Sequence, residues 1–180
     1  IGRVLTDLRE GRLRPGTGVS INLSGPTVVH EQVCTWLSGF QAFLKDYRVM
    51  LEVTETALIT QIGLANDNLT ELRQRGFEIA LDDFGSGLSS FAYLKNLPVD
   101  YLKIDGSYVR DMVNKKTDHA MVAAINQIGH IMGIKTIAEF VENDAIVAKL
   151  QQLGVDYVQG YGIARPKTLA DISLPDLHSL

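Results

Sequence analysis

The 180-residue sequence predicts an α/β fold in which parallel strands curve into a (β/α) barrel. Short apolar or β-branched runs alternate with longer segments whose apolar residues recur at helical spacing, as in βαβ units with right-handed crossovers. A polar or charged residue also stands at the end of each run. Strand ends of a barrel converge on one mouth, whereas an open sheet collects ligand groups at its switch point. The polar ends therefore favour the barrel.

The six predicted strands carry these polar residues at successive ends. The strands are Val19–Leu23, Val49–Val53, Glu78–Asp82, Tyr101–Ile104, Thr136–Ala138 and Tyr157–Gln159. The polar residues are Asn22, Glu52, the pair Asp82 and Asp83, Lys103 with Asp105 after it, Glu139 and Gln159. One or two of them would be ordinary helix-cap chemistry. All six together favour a barrel mouth over a doubly wound sheet.

Apolar stripes predict helices between the strands. The stripes are Val33, Leu37, Phe40 and Leu44; Met121, Ile125, Ile128 and Met132; and Ile146, Leu150 and Leu153. Asn143 is placed to cap the last of these helices and Gly154 to end it. The one cysteine, Cys34, has Val33, Trp36 and Leu37 as neighbours on a helical face, which predicts a buried thiol.

Composition describes one ordinary domain and excludes several classes of function. Apolar residues make up 46% and charged residues 21% of the chain, so a packed core is expected. The net charge of −4 disfavours binding to a nucleic-acid polymer. No apolar run approaches the ~20 residues that span a bilayer, and the charged start Ile1–Glu10 does not resemble a signal peptide. A cytoplasmic location is predicted, with membrane anchoring left to other parts of a larger protein.

The strand ends predict a divalent metal site. Four carboxylates, those of Glu52, Asp82, Asp83 and Glu139, would converge in the mouth, and like charges in a partly buried site need compensation. Lys103 supplies only one positive charge. Hard oxygen ligands from these carboxylates and from the Asn22 amide suit Mg²⁺ or Mn²⁺.

A pair of such ions would support hydrolysis of a phosphate ester. Two metals ~3.5–4 Å apart activate water and stabilise in-line displacement at phosphorus. The adjacent carboxylates of Asp82 and Asp83 could serve both ions, and Lys103 could orient the attacking water. A purely structural network of ion pairs is the alternative interpretation of the same residues.

Five segments, in order along the chain, match sequence motifs of a known family. They are Ile21-Asn22-Leu23-Ser24; Leu51-Glu52-Val53-Thr54-Glu55; Asp82-Asp83-Phe84-Gly85-Ser86-Gly87 with Ser89, Ser90 and Leu94; Leu102-Lys103-Ile104-Asp105; and Gln159-Gly160-Tyr161 with Pro166. These resemble the N-x-S, E-x-T-E, DDFGTG, K-I-D and Q-G-Y segments of the EAL domain family of bacterial cyclic di-GMP phosphodiesterases. The resemblance runs from about Val19 to Pro166.

The resemblance implies a TIM-like (β/α) barrel that hydrolyses one phosphodiester bond of cyclic di-GMP to give the linear dinucleotide. The implied metal ligands are Asn22, Glu52, Asp82, Asp83 and Glu139. The implied catalytic residues are Lys103, which contacts the nucleophilic water, Glu139, and Glu55, which anchors the loop of Gly85 and Gly87. The implied substrate-binding residues are Gln159, which supports the metal–water network, and Glu142 and Tyr161, which contact a guanine.

The family's Glu-Ala-Leu segment is absent from this sequence. A TIM-type barrel has eight strands in ~250 residues, and six are predicted here. Residues 1–180 are therefore expected to be a partial EAL-type phosphodiesterase domain, lacking the strands that carry the first metal-binding glutamate and a phosphate-binding arginine. Two exposed sheet edges would destabilise the chain or pair it into a homodimer. An upstream sensory or GGDEF domain is expected from the family.

Two further expectations follow from the resemblance. Phe140 stands where the family more often has glycine, and we expect it to pack under the barrel rim rather than reshape the ligand pocket. A catalytically inactive cyclic di-GMP sensor is the alternative function. The presence of Lys103 and of every expected ligand within the covered span favours the enzyme in the intact protein, whereas the missing first glutamate favours the sensor for the isolated chain.

Overall fold

The centre of the molecule is a parallel β-sheet whose strands follow one another in chain order. The computed structural model describes residues 2–13, 15–55, 62–85 and 91–168. Within these residues the sheet has six strands, and each pairs in parallel with the strand before it. They are β1 (Gly18–Leu23), β2 (Arg48–Thr54), β3 (Glu78–Phe84), β4 (Tyr101–Ile104), β5 (Lys135–Ala138) and β6 (Tyr157–Val158). All six predicted strands are confirmed, although Gln159 falls just outside β6.

Helices connect the strands along one face of the sheet. Those described are α1 (Gly2–Arg9), α2 (Gly25–Val28), α3 (Val33–Leu37), α4 (Ile62–Gln74), α5 (Phe91–Leu94), α6 (Gly106–Asp111), α7 (Lys116–Ile131) and α8 (Asp144–Leu153). The caps predicted for α8 are confirmed. The Asn143 side chain accepts a hydrogen bond from the Ile146 amide at 3.0 Å, and Gly154 ends the helix in the left-handed conformation with φ of 73°. Among the described helices, none is long and apolar enough to cross a membrane.

The helix predicted from the apolar stripe of Val33, Leu37, Phe40 and Leu44 is shorter in the structure than this stripe. Helix α3 ends at Leu37, and a single 3₁₀ turn follows over Ser38–Phe40. The Ser38 hydroxyl donates a hydrogen bond to the Thr35 carbonyl at 2.7 Å, a local bond of the kind that competes with helix propagation. Cys34 is buried as predicted, but Trp36 is 44% exposed and lies beside the His30 ring.

The buried face of α7 is displaced by one residue from the predicted stripe. Met121 is exposed, whereas Val122, Ile125 and Gly129 are buried. A side chain at position 129 would meet Thr136 of β5 at 2.9 Å. Glycine therefore lets the helix approach the sheet closely, and this contact sets which face of α7 points inward.

The two faces of the sheet differ in character. The helix-covered face forms the main core, with residues such as Val49, Leu51 and Val53 of β2 fully buried. The opposite, inner face carries a small apolar cluster of Ala80, Tyr101 and Ile137, with Met50 packed against it. The sheet with its helices is half of a barrel, which confirms the predicted fold class.

Candidate active site

Strand alternation directs the polar residues at the strand ends to the inner face. Because side chains in a strand alternate between faces, burial of Leu51 and Val53 against the helices turns Glu52 inward. The register pairs Asn22 with Glu52, and Thr54 with Asp82. The predicted site residues of β1, β2 and β3 are thus neighbours at the carboxyl end of the sheet.

Lys103 of β4 lies at the centre of this end of the sheet. Its ammonium nitrogen is 2.7 Å from an oxygen of Glu52, 2.9 Å from one of Asp82 and 2.9 Å from one of Glu139. Only 3% of the residue is exposed. Burial by itself lowers the lysine pKa, but the hydrogen bonds that the ammonium donates to the three carboxylates outweigh it and raise the pKa above its ordinary value. Lys103 is therefore a fixed positive charge.

Asp82, Asp83 and Glu139 form a second, overlapping group. Each offers one carboxylate oxygen, and these oxygens lie within 4.8 Å of one another. Burial, followed by repulsion from Asp82 and Asp105, raises the pKa of Asp83. Burial is also the main cause of the raised pKa of Glu139, and Lys103 only partly opposes it. The site holds more negative charge than Lys103 neutralises.

This donor set fits a hard divalent cation. Carboxylate oxygens converging within a few ångströms are the ligands that Mg²⁺ and Mn²⁺ prefer. Of the predicted ligands, Asp82, Asp83 and Glu139 converge in this way. Glu52 lies outside the converging group, although it shares the Lys103 ammonium with Asp82 and Glu139. Asn22 is exposed beside Glu52 in the register.

A local irregularity brings two consecutive aspartates to the same site. Successive strand residues normally point to opposite faces, but the register of β3 against β4 shifts between Leu81 and Phe84. Asp83 adopts a left-handed backbone with φ of 55°, which aspartate tolerates better than most residues. The Asp83 amide donates to the Asp82 carboxylate at 3.0 Å. The irregularity explains how both carboxylates reach the Glu139 side chain.

Phe140, directly after Glu139, is exposed and lines a cleft. Its backbone is also left-handed, with φ of 53°, a conformation that costs roughly 1–2 kcal/mol for a residue with a side chain. The side chain is 52% exposed. The cleft has a volume of about 290 Å³ and is lined by Arg110, Glu139, Phe140, Glu142, Gln159, Gly160 and Tyr161. The expectation that Phe140 packs under the rim is therefore wrong, because the left-handed backbone turns the ring outward.

The segment from Gln159 to Gly162 forms the opposite wall of the cleft. The Val141 amide donates to the Gln159 carbonyl at 3.0 Å, and the Gly162 amide donates to the Val141 carbonyl at 2.8 Å. A side chain at position 160 would lie 2.3 Å from the Val141 amide nitrogen, so only glycine permits this approach. These contacts place Gln159, Glu142 and the 67% exposed Tyr161 together beside Glu139.

Glu55 is buried away from the converging carboxylates. The Tyr93 hydroxyl of α5 donates a hydrogen bond to its carboxylate, and burial together with this bond raises the Tyr93 pKa. The Gly85 carbonyl accepts from the Tyr108 hydroxyl at 2.8 Å. Four residues of the predicted loop, Ser86, Gly87, Ser89 and Ser90, lie outside the described residues. Anchoring of that loop by Glu55 stays a prediction, which the link to α5 supports.

Three residues of the site were not predicted from the sequence. Tyr93 and Tyr108 hold Glu55 and Gly85, and Arg110 lines the cleft. Asp105, which closely follows Lys103 in the sequence, could have predicted the helix that carries Tyr108 and Arg110. In the structure Asp105 caps α6 by accepting from the Ser107 amide at 2.6 Å. A helix that starts at a strand end presents its first turns to the same mouth.

Comparison with known proteins agrees with this geometry. The EAL domain model matches residues 1–166. The chain is 44% identical over 154 residues to cyclic di-GMP phosphodiesterase PdeB of Shewanella oneidensis, covering 84% of this chain and 18% of that protein. It is 36% identical over 176 residues to cyclic di-GMP phosphodiesterase PdeF of Escherichia coli, covering 95% of this chain and 23% of that protein.

A solved structure shares the fold. The calcium and cyclic di-GMP complex of Klebsiella pneumoniae BlrP1 superposes with a TM-score of 0.77 at 32% identity, covering 92% of this chain and 42% of that one. The chain spans about a fifth of the length of the two curated relatives. With the strand order, the acidic cluster around Lys103 and the matching motifs in agreement, the chain belongs to the EAL domain family.

Proposed function

We propose that this chain carries the active site of a metal-dependent phosphodiesterase that hydrolyses one phosphodiester bond of cyclic di-GMP in bacterial second-messenger signalling. One observation carries the proposal: three carboxylates converge within 4.8 Å beside a buried lysine at the mouth of a half-barrel. The names of PdeB and PdeF, and the cyclic di-GMP complex of BlrP1, support the choice of substrate.

The metal ligands in this proposal are Asp82, Asp83 and Glu139, with Glu52 and Asn22 completing the set. Bound Mg²⁺ or Mn²⁺ supplies Lewis acidity and lowers the pKa of a water ligand. Because its pKa is raised, Lys103 keeps its proton and donates hydrogen bonds. It orients the attacking water and stabilises negative charge that develops on the phosphate oxygens.

The substrate-binding residues in this proposal line the cleft beside Glu139. Gln159 supports the water network of the metals, and Glu142 and Tyr161 contact a guanine. Glu55 acts at a distance by holding α5 through Tyr93, which positions the preceding loop. We further propose that the whole protein acts in the cytoplasm as a homodimer with an upstream sensory or GGDEF domain, and that residues 1–180 are its partial phosphodiesterase domain.

The proposal is tested by product formation in the full-length protein that contains this chain. Cyclic di-GMP is incubated with Mg²⁺ or Mn²⁺, and the linear dinucleotide is followed by chromatography. Glu139→Gln is expected to lower turnover by at least about a hundredfold, because it removes a charged ligand next to Lys103. Glu78→Gln is the matched control, since Glu78 pairs with Arg48 at the opposite end of the sheet, and turnover should stay within about twofold.

Two outcomes separate the enzyme from the alternative function. If the protein binds cyclic di-GMP tightly but forms no linear product with either Mg²⁺ or Mn²⁺, it is a sensor and not an enzyme. Equal loss of turnover in the Glu139→Gln and Glu78→Gln variants would mean that the carboxylates act through folding, which contradicts a metal site at Glu139.

A further inference from the structure

We propose that Tyr108 is a positioning residue of the metal site: its hydroxyl holds the backbone at Gly85 and thereby keeps the Asp83 carboxylate in the acidic cluster. The inference rests on the proposed function, because it takes the cluster of Asp82, Asp83 and Glu139 to bind a divalent cation. It assigns a share of the metal affinity to a side chain that lies outside the cluster.

The backbone from Asp83 to Gly85 departs from a regular strand. Asp83 has a φ of 55° and Gly85 a φ of 101°, and the Phe84 side chain between them is fully buried in the core. In a regular strand, alternation would direct Asp82 and Asp83 to opposite faces of the sheet. The irregular backbone is therefore what keeps both carboxylates at the mouth, and a left-handed aspartate persists only where the surrounding structure fixes it.

The start of α6 holds this segment through two successive carbonyls. The Asp105 amide donates to the Phe84 carbonyl at 3.3 Å, and the Tyr108 hydroxyl donates to the Gly85 carbonyl at 2.8 Å. The first bond joins two backbone groups, whereas the second uses a side chain. Removing the hydroxyl should therefore loosen the Gly85 peptide while the backbone bond of Phe84 is retained.

The Tyr108 ring packs beside Gly85 and orients the hydroxyl. A side chain at position 85 would lie 3.0 Å from the ring atom Cε2 of Tyr108 and 3.2 Å from Cδ1 of Ile125 on α7. The ring is also partly buried against the main core. Because packing already restricts the ring, forming the bond costs little further side-chain entropy. A partly buried tyrosine needs a partner for its hydroxyl, and the partner here directly follows the irregular segment.

Helix α6 begins at the end of the strand that carries Lys103. Asp105 caps the helix through the Ser107 amide at 2.6 Å, and the Tyr108 amide donates to the Asp105 carbonyl at 3.2 Å. These bonds fix the first turn of α6 relative to the end of β4. Tyr108 therefore connects the aspartates that end β3 to the strand end that supplies the central ammonium.

Loss of the hydroxyl should weaken metal binding rather than the chemical step. Without this bond, conformations in which the Asp83 carboxylate leaves the cluster become more populated, and a cation must reverse that change when it binds. The apparent dissociation constant rises as the fraction of binding-competent molecules falls. A single hydrogen bond changes such an equilibrium by about three- to tenfold. A cation at saturating concentration restores the cluster, so kcat should be nearly unchanged.

The test compares Tyr108→Phe with Tyr47→Phe in the full-length protein that contains this chain. Tyr47 is the matched control because its hydroxyl also donates to a backbone carbonyl at 2.8 Å, that of Leu13, and it directly precedes β2 at the amino end of the sheet. Calorimetric titration with Mn²⁺ alone should give a dissociation constant raised about three- to tenfold in Tyr108→Phe and unchanged in Tyr47→Phe. Without metal, both variants should lose a similar, small amount of thermal stability.

Turnover separates a positioning role from a catalytic one. With cyclic di-GMP as substrate, Tyr108→Phe should need more Mn²⁺ for its half-maximal rate but reach a kcat within about twofold of the wild type at saturating Mn²⁺. A kcat that stays low at saturating Mn²⁺ would show that the hydroxyl acts on the reaction itself, which contradicts the inference.

Mn²⁺ affinity also separates this inference from the proposed function. If the wild type binds Mn²⁺ but forms no linear dinucleotide, the proposed function fails, and the dissociation constants still decide the role of Tyr108. If hydrolysis is intact but Tyr108→Phe binds Mn²⁺ as tightly as the wild type, the inference alone is overturned. An equal loss of affinity in Tyr108→Phe and Tyr47→Phe, or a wild type that binds no Mn²⁺, also overturns it.

Discussion

Carboxylates at the two ends of the sheet differ in the partners that compensate their charge. At the amino end of the strands, Asp100 accepts from the Ile79 amide at 3.0 Å and pairs with Arg73 on α4. Asp156 likewise accepts from the Thr136 amide at 2.8 Å and pairs with His130. Each of these acids immediately precedes a strand, has a backbone donor from the neighbouring strand and has a basic partner of its own.

At the carboxyl end, three carboxylates share the one ammonium of Lys103. The pKa of Asp156 shifts in the opposite direction from the pKa values of Asp83 and Glu139. Burial raises the pKa of Asp156, but the bonds from Thr136 and His130 outweigh it and the pKa is lowered. The pKa values of Asp83 and Glu139 are raised, chiefly by burial. Asp156 is thus compensated by groups of the fold, whereas Lys103 only partly compensates the burial of Asp83 and Glu139.

The largest expected effect comes from replacing the shared cation. Lys103→Met should lower turnover of cyclic di-GMP about a hundredfold, since the attacking water loses its donor. The same change leaves the carboxylates uncompensated, so adding Mn²⁺ should raise the melting temperature more in the variant than in the wild type. Turnover assays and melting curves with and without chelator measure both. An equal metal-induced shift in both proteins would contradict a shared negative site.

The next effect concerns stability at the other end of the sheet. Asp156→Asn removes a charged acceptor from the Thr136 and His130 bonds and should cost about 1–2 kcal/mol of the free energy of unfolding. Because the folded pKa of Asp156 is lowered, its contribution is present above the ordinary aspartate pKa of about 3.9 and is lost as pH falls through the folded value.

Denaturant unfolding between acid and neutral pH tests this effect. The wild type should lose stability on acidification more steeply than the Asp156→Asn variant, while turnover at neutral pH stays the same in both. If turnover fell with stability unchanged, Asp156 would belong to the chemistry and the contrast between the two ends would be wrong.

The smallest effect should come from Arg48, the counterpart of Lys103 on the inner face. Arg48 pairs with Glu78 at 3.0 Å, and its side chain is 52% exposed. An exposed ion pair of this kind contributes less than about 1 kcal/mol. Arg48→Met should therefore change neither turnover nor metal affinity, and the loss of stability should shrink further at high salt. A loss of metal affinity here would show that the two ends are coupled.

The strands and the mouth could be predicted because both depend on local patterns. Apolar runs ending in polar residues mark each strand, and parallel pairing brings those ends together whatever the details of packing. The membership of the acidic cluster could not be predicted in the same way. It depends on the register shift that turns Asp83 toward Asp82. This shift is not visible as a residue pattern.

Residues on short connecting helices were beyond prediction for a different reason. Tyr93 belongs to a helix of four residues and Arg110 to one of six, too short to show a periodic apolar face. Their positions are set by the elements that they pack against. The burial predicted for Phe140 was wrong because aromatic side chains are usually buried. The left-handed backbone that turns this ring outward depends on tertiary packing and cannot be predicted from local sequence.

The strictly sequential strand order has a consequence for how the protein is made. Each described strand after β1 pairs with the one synthesised just before it, so the sheet can grow strand by strand while the chain is still leaving the ribosome. Asp82 and Asp83 emerge with β3, but Glu139 follows β5 and the cleft wall follows β6. The acidic cluster and the cleft are therefore completed only after most of the hydrophobic core of the described residues can form.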